Sequence, residues 1–221
     1  MTPTRRRLPA FFAVVAVGVA IPLAGCGGGG GGSTPSIAAS TPQAASNPAP
    51  APTCGSSTPP TAASEAASTA QGDIPDNQQF LSFGNPGGGY SISYPEGWAR
   101  SGNGNQVLFQ DKSNTITIKV AAGSQPTPAS VTAELGKEAS RDPCLTPGRP
   151  EPTTAGPNKV VKVTYTTAGQ KSPVTGKRPK ITVDRYVYFK GGKVATVDLA
   201  TPVGVDNVDA YRMISESFRW S

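Results

Sequence analysis

Three cysteines and no histidine decide which chemistry this 221-residue chain can carry. Without an imidazole there is no Ser-His-Asp or Cys-His dyad, no His-ligated zinc or haem, and no side chain that switches charge near neutral pH in the ordinary way. Two cysteines left without histidine make a poor metal site and a poor nucleophile. No Gly-x-Ser-x-Gly elbow appears, and the carboxylates are scattered rather than paired at catalytic spacing. Gly87-Gly88-Gly89 and Asn103-Gly104 lack the Lys-Ser/Thr signature of a phosphate loop and read as turns. A hydrolase or transferase without histidine would need a Ser-Lys pair, and none stands in a known motif. The chain is therefore expected to bind rather than to catalyse, with no cofactor and no metal.

Cys26 has a context of its own. Arg5-Arg6-Arg7 precede an apolar run from Phe11 to Leu23, too short and too rich in Ala and Gly to be preferred as a stable membrane span, and the run ends in Leu23-Ala24-Gly25-Cys26. Leu-Ala-Gly-Cys resembles the bacterial lipobox, in which the Cys thiol takes a diacylglyceryl group before cleavage leaves that Cys as the first residue. Residues 1–25 then read as a lipoprotein signal peptide, and Cys26 as the site of an acyl anchor to the extracytoplasmic face of the cell membrane. An ordinary signal peptide, or a membrane anchor with an accidental cysteine, is the alternative. Thr4-Arg5-Arg6-Arg7-Leu8 also resembles a twin-arginine export signal, so that route and the general secretory one both stand. Export argues against nucleic acid as a partner.

From Gly27 to about Pro75 the composition collapses to Gly, Ala, Ser, Thr and Pro, with two acidic and no basic residues. Such a segment cannot bury enough surface to offset the entropy of ordering it, and residues 26–75 are expected to form a disordered tether. As a Gly/Ser-type coil it would span roughly 35–45 Å. If Cys26 is lipidated, Cys54 in this tether and Cys144 are the only pair available in an oxidising compartment. They could form a disulfide closing a loop of about 90 residues, a constraint on the order of 4–5 kcal/mol by the chain-entropy argument, or stay as two free thiols. A disulfide would fold the spacer back and shorten its reach.

The elements that must position any site lie in residues 76–221, about the size of one domain. There, 17 Lys and Arg face 12 Asp and Glu, a net charge of +5. Tyr90–Tyr94 alternates apolar with small polar residues and is stopped by Pro95-Glu96-Gly97, as a strand with one buried face would be. Gln106–Gln110 and Thr115–Ala121 read as two more strands joined by a Lys112-Ser113-Asn114 turn. From Pro128 to about Arg141 the period lengthens. Val131, Leu135 and Ala139 fall on one face, Glu134, Lys137 and Glu138 on the other, and Thr127 or Ser130 can cap the start. Lys159–Thr167 is a strand burying either Val161, Val163 and Tyr165 or the opposite set. Ile181–Lys190 and Lys193–Thr201 form a hairpin across Gly191-Gly192. After Asp206 a second helical pattern turns Val208, Ala210, Tyr211, Ile214 and Phe218 toward a core. Short turns between neighbouring strands argue for a largely antiparallel sheet with helices on its faces, an α+β fold.

Two clusters in this domain could recognise a partner. Lys171, Lys177, Arg178 and Lys180 lie in a loop punctuated by Pro173, Gly176 and Pro179. They could contact anionic lipid headgroups, acidic glycans or an acidic protein, or simply be a solvated loop. Tyr90, Tyr94, Trp98 and Phe109 could line an apolar pocket or supply the core itself.

Gly89-Tyr90-Ser91-Ile92-Ser93-Tyr94-Pro95-Glu96-Gly97-Trp98 is similar to the opening strand of PsbP-like domains, and Ala210 to Arg219, running out through Ser217-Phe218, resembles that family's last helix. The family includes extrinsic subunits of the photosynthetic oxygen-evolving complex and LpqN-type lipoproteins of high-GC Gram-positive bacteria, and the lipobox fits the latter. The resemblance implies an antiparallel sheet between helices, an α/β/α sandwich, and a module of binding or assembly. With no histidine, any His-dependent metal site of photosynthetic relatives has no counterpart here. The expectation is a membrane-anchored lipoprotein that engages another envelope component, whether protein, glycan or lipid. A carrier or sensor of lipid or another small apolar ligand is the alternative.

Overall fold

The strongest alternation in the sequence, Ile116, Ile118 and Val120 against Thr117 and Lys119, marks a strand that buries one face. The computed structural model describes residues 54–56, 72–171 and 176–221, and this strand lies near the middle of its larger sheet. Residues 1–25, expected to be a signal peptide, together with Cys26 and most of the expected tether, lie outside the described residues.

In chain order the elements are β1 (Phe80–Asn85), β2 (Tyr90–Pro95), β3 (Ala99–Asn103), β4 (Gln106–Asp111), β5 (Asn114–Ala122), α1 (Pro128–Ala139), β6 (Glu151–Ala155), β7 (Asn158–Ala168), β8 (Lys180–Lys190), β9 (Lys193–Pro202), α2 (Val208–Glu216) and β10 (Arg219–Trp220). They form a seven-stranded sheet in the order β3-β4-β5-β9-β8-β7-β6 and a three-stranded sheet, β1-β2-β10. Every pairing is antiparallel. The fold is α+β, as the patterning implies. The β8–β9 hairpin turns at Gly191-Gly192, whose φ values of +56° and +78° suit the two-residue turn between Lys190 and Lys193. In the β4–β5 hairpin the same demand falls on Lys112, which adopts φ +51°.

Each face of the large sheet is covered by a different layer. On one, α1 sets Val131 and Leu135 against Val161, Val163, Tyr165, Ile181, Val183 and Val187. Of the two alternatives for β7, Val161, Val163 and Tyr165 form the set under α1, while Val160 turns to the other core. Helix α1 starts on a reciprocal cap: Thr127 Oγ1 accepts from the Ser130 N–H and Ser130 Oγ from the Thr127 N–H, with Pro128 at the first helical position. Both candidate capping residues are thus used together. Ala139 is only half-buried, and Glu138, expected on the solvent face, turns to a buried arginine described below.

On the opposite face β2 and α2 cover Val107, Phe109, Ile116, Ile118, Tyr186, Tyr188, Val197 and Leu199. Phe218 sits at the centre, stacked on Tyr188 at 4.2 Å and on Tyr90 at 5.4 Å, with Trp220 edge-on at 5.2 Å. Helix α2 buries Ala210, Tyr211 and Ile214 as its periodicity predicts, but Val208 is 73% exposed. The first residue of the helix precedes the turn that meets the sheet. Asn207 occupies the cap position without capping, because its side chain points inward. Asn207 Oδ1 accepts from the Ile74 N–H at 2.7 Å, and Nδ2 donates to Gly72 O and to Thr201 Oγ1. Asn114, read from sequence as a turn residue, joins the same network: it donates to Gly72 O and accepts from the Thr201 hydroxyl. The packed chain therefore reaches back ahead of Asp76, with Ile74 in the core.

Phe218→Ala should cost about 3–5 kcal/mol, as for other large buried aromatics. Urea denaturation would measure it, and a loss below about 1 kcal/mol would mean that Phe218 does not organise the aromatic core.

Candidate functional site

The residues with chemical potential gather at the two ends of the large sheet and beneath α1. At the first end, Cys54 is bonded to Cys144, four residues past the C-cap of α1, with 4.9 Å between their Cα atoms. Ser56 makes a short parallel bridge to Pro179: its N–H donates to Arg178 O at 3.2 Å and its carbonyl accepts from the Lys180 N–H at 3.1 Å. The attachment point of the tether segment thus lies beside the basic loop. Lys171, Lys177 and Arg178 are exposed and Lys180 is partly covered; residues 172–175, including Pro173, lie outside the described residues. Cys26 also lies outside them.

Tyr90, Trp98 and Phe109 belong to the core cluster, and Tyr94 packs against it. Tyr90, Trp98 and Phe109 are buried, Tyr94 stacks on Phe109 at 4.3 Å, and Phe83 closes edge-on at 5.3 Å. The alternation that puts Tyr90 and Ile92 on one face of β2 aims them at the large sheet, so the space a ligand would need is filled by neighbouring rings.

Beneath α1 the structure reveals a charged cluster not anticipated from sequence. Arg185 is 4% exposed and donates through Nε and Nη2 to the two carboxylate oxygens of Asp198 at 2.7 and 2.9 Å, and through Nη1 to Glu138 at 2.9 Å. Nη2 also reaches the Tyr165 hydroxyl at 3.2 Å. Burial opposes the charge on Arg185, but the hydrogen bond and charge of Asp198, joined by Glu138, more than reverse this and hold the guanidinium protonated. Burial, followed by the charge of Asp198, pushes the Tyr165 hydroxyl well up. With Nε, Nη1 and Nη2 each bonded, the cluster ties α1 to β8 and β9. A sequence signal did exist: Arg185 interrupts the inward stripe Ile181, Val183, Val187.

At the second end a surface groove of about 680 Å³ opens between the β6–β7 turn, the approach to α1 and the ends of β8 and β10. Phe189, Val160 and Trp220 give it apolar area, Pro126, Pro128, Pro152 and Pro157 stiffen its walls, and Lys159 and Lys190 are its charged lining residues. No carboxylate lines it. Pro152-Thr153-Thr154 belongs to β6, the edge strand of the large sheet. The indole N–H of Trp220 is shielded from water and has no acceptor. Among the described residues no group of three or more Cys, Asp or Glu is placed to hold a metal ion, and no helix is long and apolar enough to cross a membrane.

No family model matches the chain, and no curated protein matches it. Among solved structures, it is similar to a protein of Bacteroides thetaiotaomicron, at 14% identity and a TM-score of 0.43 over 63% of this chain. The chain spans about half, 48%, of that protein's length. It is also similar to the cyanobacterial PsbP (CyanoP) of Synechocystis, at 16% identity and a TM-score of 0.49 over 69% of this chain and 99% of the other. LpqN of Mycobacterium tuberculosis, a protein involved in cell envelope biogenesis, matches at 18% identity and a TM-score of 0.36 over 65% of this chain and 91% of its own.

Two measurements check the chemistry of the interior. Arg185→Ala would leave Asp198, Glu138 and Tyr165 under α1 without their partner, and should cost about 3–5 kcal/mol; denaturation with an unchanged midpoint would exclude the clamp. Burial also raises the Tyr188 and Tyr211 hydroxyls above their ordinary value of 10.0, and each donates to a backbone carbonyl, Ser215 O and Ala200 O. The folded state thus holds these protons more tightly than the unfolded one. Their stabilising contribution is complete below about pH 10 and declines as pH rises beyond it. Their tyrosinate absorbance should appear only together with loss of the circular dichroism of the fold, whereas full ionisation of all six tyrosines in a folded chain would contradict this.

Proposed function

We propose that the chain is an exported lipoprotein, acylated at Cys26 and held at the extracytoplasmic face of the cell membrane, whose α+β domain is a non-catalytic module that binds another envelope component. The observation that carries this reading is the separation of the two ends of the domain. The tether segment joins at Cys54, beside Lys180, while the groove lies where β8 ends at Phe189-Lys190. Eleven residues of strand put these ends about 33 Å apart. A domain attached at one end presents the other outward.

The groove suits an extended, acidic segment of an envelope protein. Its apolar floor accepts side chains, Lys159 and Lys190 attract carboxylates, and β6 offers the outer edge of the sheet to a passing backbone. A carrier of apolar ligands would need an interior cavity where Tyr90, Phe109 and Phe218 instead pack against one another.

A photocrosslinking amino acid placed at Thr153 in the anchored protein should capture a protein whose crosslinked peptide is acidic. Phe189→Ala combined with Lys159→Glu should reduce capture at least tenfold, the equivalent of about 1.4 kcal/mol. Capture of glycan or lipid alone, or of the same protein by the double variant, would overturn the groove as a protein site. Cys26→Ser should release the chain from the membrane fraction, and retention there would overturn the anchor.

A further inference from the structure

We propose that the end of the domain carrying the Cys54–Cys144 bond is itself a contact surface for an anionic bilayer, so that the tethered domain lies against the membrane in one orientation. This rests on the anchored reading above and adds a second, electrostatic contact to it. The length of chain between anchor and domain makes the contact accessible. Cys54 is 28 residues on from Cys26, and its bond to Cys144 takes the later part of the tether out of the connection. As the coil that its composition implies, a segment of that length would span roughly 26–32 Å, rather than the 35–45 Å expected of the full spacer. The end of the domain nearest the attachment point is therefore held within a few tens of ångströms of the lipid surface.

What is held there is basic. Lys171, Lys177, Arg178 and Lys180 surround the strand bridge at Ser56, and exposed Arg141 lies just past α1, three residues before Cys144. The nearby carboxylate, Asp142, faces inward and is occupied, accepting from the Cys144 N–H and the Thr167 hydroxyl. The carboxylates Asp73, Asp76, Asp206 and Asp209 gather around the start of α2. They lie at the same end of the sheet as the basic residues, since the Val203 N–H donates to Lys180 O and Val205 lines one surface with Ser56 and Lys180, but α2 covers the face opposite α1, so at this end negative charge occupies the α2 side and positive charge the α1 side. An anionic surface would attract the α1 side and repel the α2 side, which fixes a tilt as well as a contact.

Each basic side chain near an anionic surface raises partitioning about fivefold, and exposed charges act over a Debye length of about 10 Å at ordinary salt. Five such residues beside a short tether would favour the surface-bound arrangement. At the far end of the sheet Lys190 and Lys193 flank the hairpin turn, where this orientation holds them off the bilayer.

The test uses the acylated full chain with vesicles of phosphatidylcholine alone or of phosphatidylcholine mixed with phosphatidylglycerol. Flotation reports anchoring, and amine-reactive labelling of individual lysines reports orientation. The expected result is flotation with both compositions, with labelling of Lys171, Lys177 and Lys180 slowed about fivefold on the anionic vesicles only and restored by high salt, while Lys190 and Lys193 label equally throughout. In the Lys171→Glu, Lys177→Glu variant, Lys180 should regain its labelling rate although flotation persists. Flotation with both compositions but equal labelling at the two ends would overturn the contact surface and leave the anchor standing. Flotation only with anionic vesicles would overturn the anchor and support the surface, and flotation with neither would overturn both.

Discussion

Both faces of β8, an interior strand of the large sheet, are covered over its middle. From Arg185 to Tyr188 four consecutive residues are buried, so both faces of the large sheet must be covered for the fold to exist. The two covers are unequal. The aromatic face meets a second sheet and a helix around Phe218, while the aliphatic face is met by α1, which buries only Val131 and Leu135. Two such side chains contribute about 3–6 kcal/mol, against the backbone entropy of ordering twelve residues, and isolated helices of this length are marginal in water. Helix α1 is consequently fastened at several points. The Thr127–Ser130 cap holds its start, Glu138 ties its last turn to Arg185, and the Cys144 bond follows its end. Arg185 can be buried because two carboxylates and a phenol meet it, and they meet it because α1, β7 and β9 converge on β8.

Strictly antiparallel order sends every connection to one of two ends. One collects the β4–β5 turn, the residues before β8, those after β9, and Ser56; the other collects the β8–β9 and β6–β7 turns. The length of one strand therefore separates the covalent attachment of the tether segment from the groove. Neither end needs to deform for the other to act, and this suits a module held in place by one end and engaged by the other.

Period-2 and period-3.6 patterns reveal the elements that bury a face: β2, β4, β5, α1, β7, β8, β9 and α2 all lie within a few residues of where the pattern puts them. The strands that the pattern misses share a physical reason. β3 is exposed at every position, β6 begins Glu-Pro-Thr-Thr, β1 alternates poorly, and β10 has two residues. These depend on pairing with a neighbour rather than on an apolar stripe of their own, and pairing is nonlocal. The candidate sites divide along the same line. Side chains on a strongly periodic strand, such as Tyr90 and Phe109, follow the core, whereas the groove needs Phe189 and Trp220 to meet across 31 positions of sequence. Arg185 was legible as a charge on an apolar stripe, but its partners were not.

The attachment of the tether segment shows how a covalent bond and weak contacts divide the work. Residues 54–56 are held at the domain by the Cys54–Cys144 bond and by two backbone hydrogen bonds between Ser56 and the approach to β8. Two such bonds contribute about 2 kcal/mol net, while ordering three residues costs about 3–6 kcal/mol, so the hydrogen bonds alone do not hold the segment. The disulfide supplies the difference by confining Cys54 before the bridge forms, since the entropy of closing a long loop falls on the unfolded and reduced states instead. The Ser56 bridge then sets the direction in which the chain leaves. An oxidising compartment is thus a condition for the geometry as well as for the bond. In the reduced chain the same sequence would join the domain near Gly72, whose carbonyl is held by Asn114 and Asn207, and the full spacer would separate the domain from Cys26.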